Sequence, residues 1–428
     1  MLISETSVPP CGWNSFDCFF GAVTEAQALA NLELFVQKLK PAGYEYFCID
    51  AGWYADGSMA DHAALRRAGQ FRPMHVDEFG RFVSSPVNFP RGLEYISKKC
   101  HESGVKFGVH MMRGIPLPAL EKNTPVKGTG YRARDIYDPD NNCHWCQYWV
   151  AAKADHPGTA AFYRSEIEYL ADHLEVDFIK LDDVTEHPDH VRLFAEAVDS
   201  VERPILLSLS PGNETCLENW KVFEKYANMV RITPDVWDND QTNLLKLQRW
   251  YEFQAAGSSR CWLDLDMLPL GRLLTGLSPD VLGSSNPGER QSRMTPRGKR
   301  VMMMMMALSR SPLFFGGDLP GTPQADIDLA IHPEVLACNR RGEGGRRTSL
   351  VRHLDIRRSE DVSSPGHGWI GIFSLSPRDR HVFVTPDQLG FDRIPEMHDI
   401  WNDCTVRPDA SGRIEFYLPQ FDGVFLKY

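Results

Sequence analysis

The segment DFIKLDD, residues 177–183, constrains the fold of this chain more than any other stretch. It predicts a short apolar strand that ends in three charged residues, Lys180, Asp182 and Asp183. Unpaired charge at the end of a buried strand is costly to remove from water, so charges at such a strand end indicate a functional role. The carboxyl-terminal mouth of a barrel of alternating strands and helices is where proteins place charges of this kind.

A second strand end of the same kind follows further along the chain. The segment MVRITPD, residues 229–235, contains a cation and an acid, Arg231 and Asp235. Two acids on two strand ends, each beside a cation, are typical of the carboxylate pair that hydrolyses a glycosidic bond. Lys180 precedes Asp182 by two residues and shares its strand face, so its charge favours the ionised aspartate. Asp182 is the predicted nucleophile, and Asp235 is the predicted acid/base, expected to be buried near Asp182.

Short apolar strands alternate with amphipathic helices up to about residue 330. This alternation favours a parallel sheet with right-handed crossovers, and eight such units close into a (β/α)8 TIM barrel. A doubly wound open sheet is the alternative, but no glycine-rich phosphate loop opens any predicted helix. The five methionines at residues 302–306 predict a buried helix. The strands are predicted around residues 11–14, 46–50, 106–110, 177–183, 204–210, 229–235, 261–266 and 311–318.

The sequence pattern changes after about residue 343. The segments WIGIF at residues 369–373, HVFV at 381–384 and RIEFY at 413–417 alternate between two faces, with turns between them. This period of two predicts strands, and their close spacing predicts an antiparallel β-sandwich. We therefore predict an α/β protein with a catalytic barrel at residues 1–335 and a C-terminal β-sandwich domain at residues 336–428.

The acidic composition of the chain limits the classes of partner that it can bind. The net charge is −11 and the isoelectric point about 5.7, which argues against nucleic acid or an anionic membrane as a partner. No segment approaches the ~20 apolar residues of a membrane span, and the first residues show no export signal. The ten cysteines follow no disulfide framework, and the pair Cys143 and Cys146 has no second pair to complete a zinc site. These features predict a cytoplasmic protein without a metal or a cofactor.

Several other side chains fall at or near the predicted carboxyl ends of strands, where barrel sites form. Aromatic rings there stack on sugar faces, and carboxylates accept hydrogen bonds from sugar hydroxyls. Each residue also has a structural explanation, because strand-end aspartates often cap the next helix and single tryptophans are usually core residues. The candidates are Trp13, Asp50, Trp53, His110, Trp145 and Asp183.

An ordered set of motifs resembles those of one known family. The motifs are GWNSF at residues 12–16, IDAGW at 49–53, KFGVH at 106–110, KLD at 180–182, RITPD at 231–235, WLDLDML at 262–268 and SPL at 311–313, with Asp318. Together they resemble glycoside hydrolase family 27, the family of α-galactosidases and α-N-acetylgalactosaminidases. The resemblance implies a (β/α)8 barrel with a C-terminal β-sandwich and a retaining mechanism without a cofactor. It assigns the nucleophile to Asp182 and the acid/base to Asp235. The residues implied to hold sugar hydroxyls are Asp50, Lys180, Arg231 and Asp266.

The chain departs from the family pattern at positions that select the sugar. Ala51 stands where the family usually has a second acid, which grips the 4-hydroxyl and 6-hydroxyl of galactose together with its neighbour. His110 and Phe16 replace a common tyrosine and a common tryptophan. Ser210 aligns with a serine of the N-acetylgalactosaminidases and would leave room for an N-acetyl group. An isomaltose-releasing enzyme and a β-L-arabinopyranosidase of the same family therefore stay open beside the two galactose-type activities.

The resemblance predicts an oligosaccharide or glycoside as the substrate, and it leaves a homo-oligomer open. Two other hypotheses use the same residues. A metal-dependent barrel hydrolase would bind its metal through the carboxylates and His110, although no tight histidine–carboxylate ligand motif is present. A sugar-binding barrel without catalysis would follow if Ala51 marked a lost site, but both expected catalytic acids are present.

Overall fold

The computed structural model describes residues 6–256, 260–279 and 288–428. The parallel strands are β1 (Cys11–Asn14), β2 (Tyr46–Ile49), β3 (Lys106–Met112), β4 (Phe178–Asp182), β5 (Leu206–Leu209), β6 (Met229–Arg231), β7 (Trp262–Asp264) and β8 (Leu313–Phe315). They form one curved sheet in the order β8-β1-β2-β3-β4-β5-β6-β7. The chain just after β7 bridges back to β8 through Leu268 and Phe315, which closes the sheet into the predicted barrel.

Helices alternate with these strands along the chain, as the sequence predicts. The barrel helices are α1 (Glu25–Leu34), α2 (Leu93–Glu102), α3 (Pro157–Asp172), α4 (Pro188–Asp199), α5 (Trp220–Tyr226), α6 (Asp240–Phe253), α7 (Pro296–Ser309) and α8 (Pro333–Arg341). One apolar core joins them to the strands. Shorter helices lie in the connecting segments at Phe16–Phe19, Met59–Arg67, Leu117–Lys122, Ala133–Ile136, Gln324–Ala330 and Pro386–Leu389.

Local sequence signals set the ends of helix α1. The Thr24 side chain accepts a hydrogen bond from the backbone N–H of Gln27, and the Gln27 side chain accepts one from the backbone N–H of Thr24, so the two residues form a capping box. The helix continues into a π-helical turn, Phe35–Leu39, and a short 3-10 turn follows. The turn ends at Gly43, whose φ of 87° is a conformation that glycine adopts without strain.

Helix α7 lies between the barrel and the C-terminal domain. It begins with Thr295 as the cap and Pro296 at its first position. All five methionines at residues 302–306 are buried, which confirms the prediction of a buried helix. A Cβ atom on Gly423 would lie 2.5 Å from the terminal methyl of Met304, so the C-terminal domain packs directly on this helix.

The C-terminal domain is the predicted antiparallel β-sandwich. Its strands are β9 (Arg346–Val351), β10 (Leu354–Glu360), β11 (Gly368–Ser374), β12 (Arg380–Val384), β13 (Met397–Asp399), β14 (Cys404–Val406), β15 (Ile414–Leu418) and β16 (Gly423–Lys427). Six of them form one sheet in the order β9-β10-β11-β16-β13-β14, and β12 pairs with β15. A separate apolar cluster, which includes Ile356, Ile372 and Val382, fills the space between the two layers. The domain boundary at residue 336 stays a prediction.

Residues 112–157 contain two short helices and a ladder in which Ile115–Pro116 pairs with Trp149–Val150. One expectation about the strands is wrong. The strand predicted at residues 229–235 ends at Arg231, so Asp235 lies in the loop that follows. Among the described residues, no helix is long and apolar enough to cross a membrane. The cytoplasmic location stays a prediction.

Candidate functional site

A cavity of about 810 Å³ opens at the carboxyl ends of the barrel strands. Strand β4 contributes Lys180 and Asp182 to its wall, and the loop after β6 contributes Asp235. The structure therefore brings both predicted catalytic acids into one space. The predicted site residues that line this cavity are His110, Trp145, Lys180, Asp182, Arg231, Asp235 and Asp266.

The two oxygens of the Asp182 carboxylate differ in their surroundings. Oδ2 accepts a hydrogen bond from His110 Nε2 at 2.9 Å and lies 3.8 Å from Lys180 Nζ. Oδ1 is buried and has no hydrogen-bond partner among the described residues. Burial disfavours the charge, but Lys180 and His110 more than offset this and hold the pKa of Asp182 well below its usual range. Asp182 is therefore ionised at neutral pH, with one oxygen unengaged.

Lys180 is shared between two carboxylates. Its Nζ donates to Asp50 Oδ2 at 2.9 Å. Asp50 is fully buried, and it also accepts hydrogen bonds from Asn14 Nδ2 at 2.7 Å and from the Ala51 N–H at 2.8 Å. Burial opposes ionisation of Asp50, but its cationic neighbours lower the pKa below the usual range. Burial likewise opposes the charge of Lys180, but Asp182 and Asp50 raise the pKa of the amine above its usual value.

A second group of charges holds the loop after β6. Arg231 Nη1 donates to Asp235 Oδ1 at 2.8 Å and to Asp266 Oδ2 at 3.2 Å. Asp266 Oδ2 also accepts the N–H of Val236 at 2.7 Å, which fixes the residue next to Asp235. The Asp235 side chain is nevertheless 63 % exposed, so the expectation that it is buried is wrong. The reason is that β6 ends four residues earlier and Asp235 belongs to the cavity rim.

Trp13 and Trp53 lie behind the cavity wall and do not line it. Both are buried, and their Nε1 atoms donate to the backbone carbonyls of Gly317 and His110. Trp13 also stacks on Phe47, with ring centroids 4.4 Å apart. The two rings support the wall, and the sugar stacking expected from the sequence does not fit these positions.

Asp50, Asp183 and Ser210 also lie outside the cavity lining. Asp183 is buried in a 2.7 Å ion pair with Arg113, and Asp50 holds Lys180. Ser210 is buried just after β5, and its hydroxyl has no partner among the described residues. This placement gives the two aspartates protein partners, and direct substrate contact by the three residues stays a prediction.

The sequence reasoning missed three titratable groups near the site. Asp17 lines the cavity and is 1 % exposed, and its Oδ2 has no hydrogen-bond partner within the described ranges. Burial and the charge of Asp266 raise the pKa of Asp17 well above its usual range, and they raise the pKa of Asp264 to about 7. Burial lowers the pKa of Lys246 to about 7. Two of these groups could have been found from their positions in the sequence. Asp17 directly follows the GWNSF motif, and Asp264 lies inside the WLDLDML motif.

One group of side chains in the described ranges has the spacing of a metal site, and it consists of Asp183, Glu186 and His187. Two of its members already have protein partners, since Asp183 is in an ion pair and Glu186 accepts backbone N–H groups of residues 212–214. The group lies outside the cavity lining and does not include His110. The arrangement gives the metal-dependent hydrolase hypothesis no support.

Comparison with known proteins places the chain in a family. No protein-family model matches it. The chain is similar to a β-L-arabinopyranosidase of glycoside hydrolase family 27 from Geobacillus stearothermophilus, with 30 % identity and a TM-score of 0.88 over 99 % of this chain and 96 % of that one. It is 22 % identical to an α-galactosidase of Schizosaccharomyces pombe over 77 % of this chain, and it spans 66 % of the length of that protein. It is 21 % identical to an α-N-acetylgalactosaminidase of Rattus norvegicus over 97 % of this chain and 92 % of that one. The chain belongs to glycoside hydrolase family 27.

Proposed function

We propose that this chain is a retaining exo-glycosidase that hydrolyses terminal galactose-type pyranosides, with α-galactosides as the first candidate substrates. The observation that carries the proposal is the state of Asp182. This carboxylate is kept ionised by Lys180 and His110, and it faces a cavity that also contains Asp235. A retaining glycosidase needs one ionised carboxylate as nucleophile and a second carboxyl group as acid/base in the same space.

The surroundings of Asp182 prepare it to act as the nucleophile. His110 holds Oδ2, and the neighbouring Lys180 keeps the carboxylate ionised. A carboxylate oxygen of Asp182 attacks the anomeric carbon, and the bond from that carbon to the leaving oxygen breaks as Asp235 protonates the leaving oxygen. Asp235 then takes a proton from water, the water oxygen bonds to the anomeric carbon, and the Asp182 ester bond breaks. Each of the two steps inverts the configuration of the anomeric carbon, so the product keeps the configuration of the substrate.

The exposure of Asp235 fits a group that must exchange its proton with water in each cycle. Its side chain is 63 % exposed and paired with Arg231 in the free protein.

A second candidate substrate class, β-L-arabinopyranosides, is favoured by Ala51. β-L-Arabinopyranose has the ring configuration of α-D-galactopyranose but lacks the hydroxymethyl group. Ala51 lines the cavity beside Asp50, at the position where the family usually has a second acid. The methyl side chain of Ala51 cannot form a hydrogen bond with the hydroxyl of a hydroxymethyl group. Galactose therefore loses a hydrogen bond at this position, whereas arabinopyranose, which has no hydroxymethyl group, does not. The Geobacillus relative is named for this activity, and a variant of it has been crystallised in complex with arabinose.

Hydrolysis of a panel of p-nitrophenyl glycosides tests the proposal. The panel holds the α-galactoside, α-N-acetylgalactosaminide, α-glucoside, α-isomaltoside and β-L-arabinopyranoside. We expect turnover of a galactose-type or arabinose sugar, with the first-formed product keeping the anomeric configuration, as shown by proton NMR. Asp182→Asn should abolish turnover while the circular dichroism spectrum stays unchanged.

Asp177→Asn is a matched control for Asp182→Asn. Asp177 precedes the same strand at its other end and is paired with Arg203 at 2.9 Å, far from the cavity lining. Its variant should keep turnover. Full activity in Asp182→Asn, or a product of inverted configuration, would overturn the mechanism. Binding of the sugars without turnover would favour the sugar-binding hypothesis. Ala51→Asp separates the two sugars, because it should raise the ratio of α-galactoside to arabinopyranoside turnover.

A further inference from the structure

A buried arginine that forms no ion pair with the described residues lines the cavity beside Gly52. Arg72 is 2 % exposed, and its Nη1 and Nη2 donate to the backbone carbonyls of Gly57 at 3.0 Å and Gly21 at 2.6 Å. Its Nε is buried and has no hydrogen-bond partner among the described residues. In the described part of the chain, no carboxylate lies within ion-pair distance of this guanidinium. A buried charge without a counter-charge is costly, so the guanidinium can still pair with an anion brought by a ligand.

A second arginine stands at the opening of the same cavity. Arg66, on the exposed helix Met59–Arg67, lines the cavity and has no ion-pair partner among the described residues. His62, one turn earlier, binds the Tyr148 hydroxyl through Nδ1 at 2.6 Å. Burial, Arg72 and Arg66 all lower the pKa of His62 below its usual value, as expected beside uncompensated positive charge.

Exposed aromatic rings flank these cations. Phe71 and Trp145 both line the cavity, and they are 37 % and 46 % exposed. Phe71 lies edge-on to Tyr148, with ring centroids 5.8 Å apart. We call Arg66, Phe71, Arg72, Trp145 and Tyr148 the mouth subsite. Aromatic surface beside guanidinium groups that form no ion pair with the described residues is suited to a ring that carries an anionic group.

The mouth subsite is placed where a leaving group would lie. The helix Met59–Arg67 borders the cavity, and its Met59 belongs to a small apolar cluster against which Trp237, two residues after Asp235, also packs. In an exo-glycosidase the terminal sugar fills the inner end of the cavity, beside Asp182, and the leaving group extends past the acid/base toward solvent. The residues at the opening therefore contact the leaving group.

We infer that the enzyme takes glycosides whose leaving group carries a carboxylate, as a uronic acid residue does, and that Arg66 and Arg72 hold this carboxylate. The inference rests on the proposed function and adds a substrate class to it. A guanidinium binds a carboxylate through two parallel hydrogen bonds, which selects both charge and orientation. One such charge-assisted contact at a partly exposed site corresponds to about a tenfold preference.

Two matched aryl substrates test the inference. One is the 3-(carboxymethyl)phenyl glycoside of the sugar that the panel selects, and the other is its methyl ester. The methylene group separates the carboxylate from the phenolic oxygen, so the two leaving groups have similar acidity. We expect kcat/KM to be about tenfold higher for the carboxylate at low ionic strength, and this preference to shrink with added salt.

The variant pair Arg66→Gln and Arg67→Gln makes the test specific. The two residues are neighbours on one helix and both exposed, but Arg67 does not line the cavity. Arg66→Gln should lower the preference for the carboxylate several-fold, and Arg67→Gln should leave it unchanged. Turnover of both substrates without a preference, or a preference that Arg66→Gln does not alter, overturns the inference and leaves the glycosidase assignment intact. Turnover of neither substrate overturns both.

Discussion

Replacing Lys180 by methionine tests whether its charge keeps the nucleophile ionised. Lys180 Nζ lies 3.8 Å from Asp182 Oδ2, and both side chains are 13 % exposed. At an effective dielectric constant of about 20, two unit charges at that distance attract by about 4 kcal/mol, which is about three pKa units. Methionine keeps much of the length of the side chain and carries no charge, so we expect the pKa of Asp182 to rise by about that amount.

The assay is the pH dependence of kcat/KM, which reports the ionisation of groups in the free enzyme. Attack needs the Asp182 carboxylate, so activity falls as the pH drops through the pKa of Asp182. In the wild type this fall lies below the ordinary aspartate range, because the neighbouring cations lower that pKa. In Lys180→Met the acid limb should move up by about three pH units, whereas in Lys180→Arg it should stay near its wild-type position.

Lys180 also lines the cavity, so both variants are expected to lose substrate affinity at every pH. An acid limb that does not move in Lys180→Met, together with a uniform loss of activity, would refute the reasoning. Stability gives a second readout. The folded-state pKa of Asp182 is lowered, so its charge stabilises the fold above about pH 4 and this contribution is lost as the pH falls through the folded-state pKa. Lys180→Met should therefore melt at a lower temperature than Lys180→Arg at pH 7.

Three further outcomes follow from other contacts. Burial and Asp266 raise the pKa of Asp17, so this acid costs stability as the pH rises above about 4, and Asp17→Asn should raise the melting temperature at pH 7 but not at pH 3. Met304 is fully buried against the C-terminal domain, so Met304→Ala should lower the free energy of unfolding by about 2–5 kcal/mol in denaturant titrations without changing KM. Glu186 accepts backbone N–H groups of the loop at residues 212–214, so Glu186→Gln should raise KM several-fold with kcat kept, and an unchanged KM would contradict this.

The barrel could be predicted because each of its strands carries a local signal. Apolar runs separated by helical periodicity indicate the strands, and the capping box at Thr24 and the Thr295–Pro296 pair indicate helix starts. The sandwich could be predicted for the same reason, since residues of β12 and β15 alternate between buried and more exposed positions, although β11 is buried throughout. The end of β6 was misplaced because the apolar Ile232 follows it and still donates its N–H to the carbonyl of Asp264 in β7. Pro234, which has no N–H to donate, was the signal against a longer strand.

The charged residues of the site could be predicted from the sequence, but the side chains that they contact could not. The order of motifs indicates which acids matter, but not whether a carboxylate faces the cavity or a neighbouring cation. Asp50 and Asp183 are directed to Lys180 and Arg113 by strand pairings across the barrel, which no local pattern records. Asp17 was missed for a similar reason. Its Oδ2 would lie 2.2 Å from a Cβ atom on Gly316, at the far end of the barrel sequence, so its burial depends on closure of the sheet.

In the proposed mechanism, catalysis and recognition are carried by different parts of this barrel. The charges around Asp182 come from paired strands, and His110 on β3 stands level with Lys180 on β4 in the sheet register. A shift of either strand by one residue would turn its side chain to the other face, so the ionised state of Asp182 depends on the fold itself. By contrast, Ala51, Arg66 and Arg72 all belong to the segment after β2, which contributes no catalytic acid. Substitutions in that segment can therefore change which sugar and which leaving group are bound while the Lys180–Asp182 pair keeps its geometry.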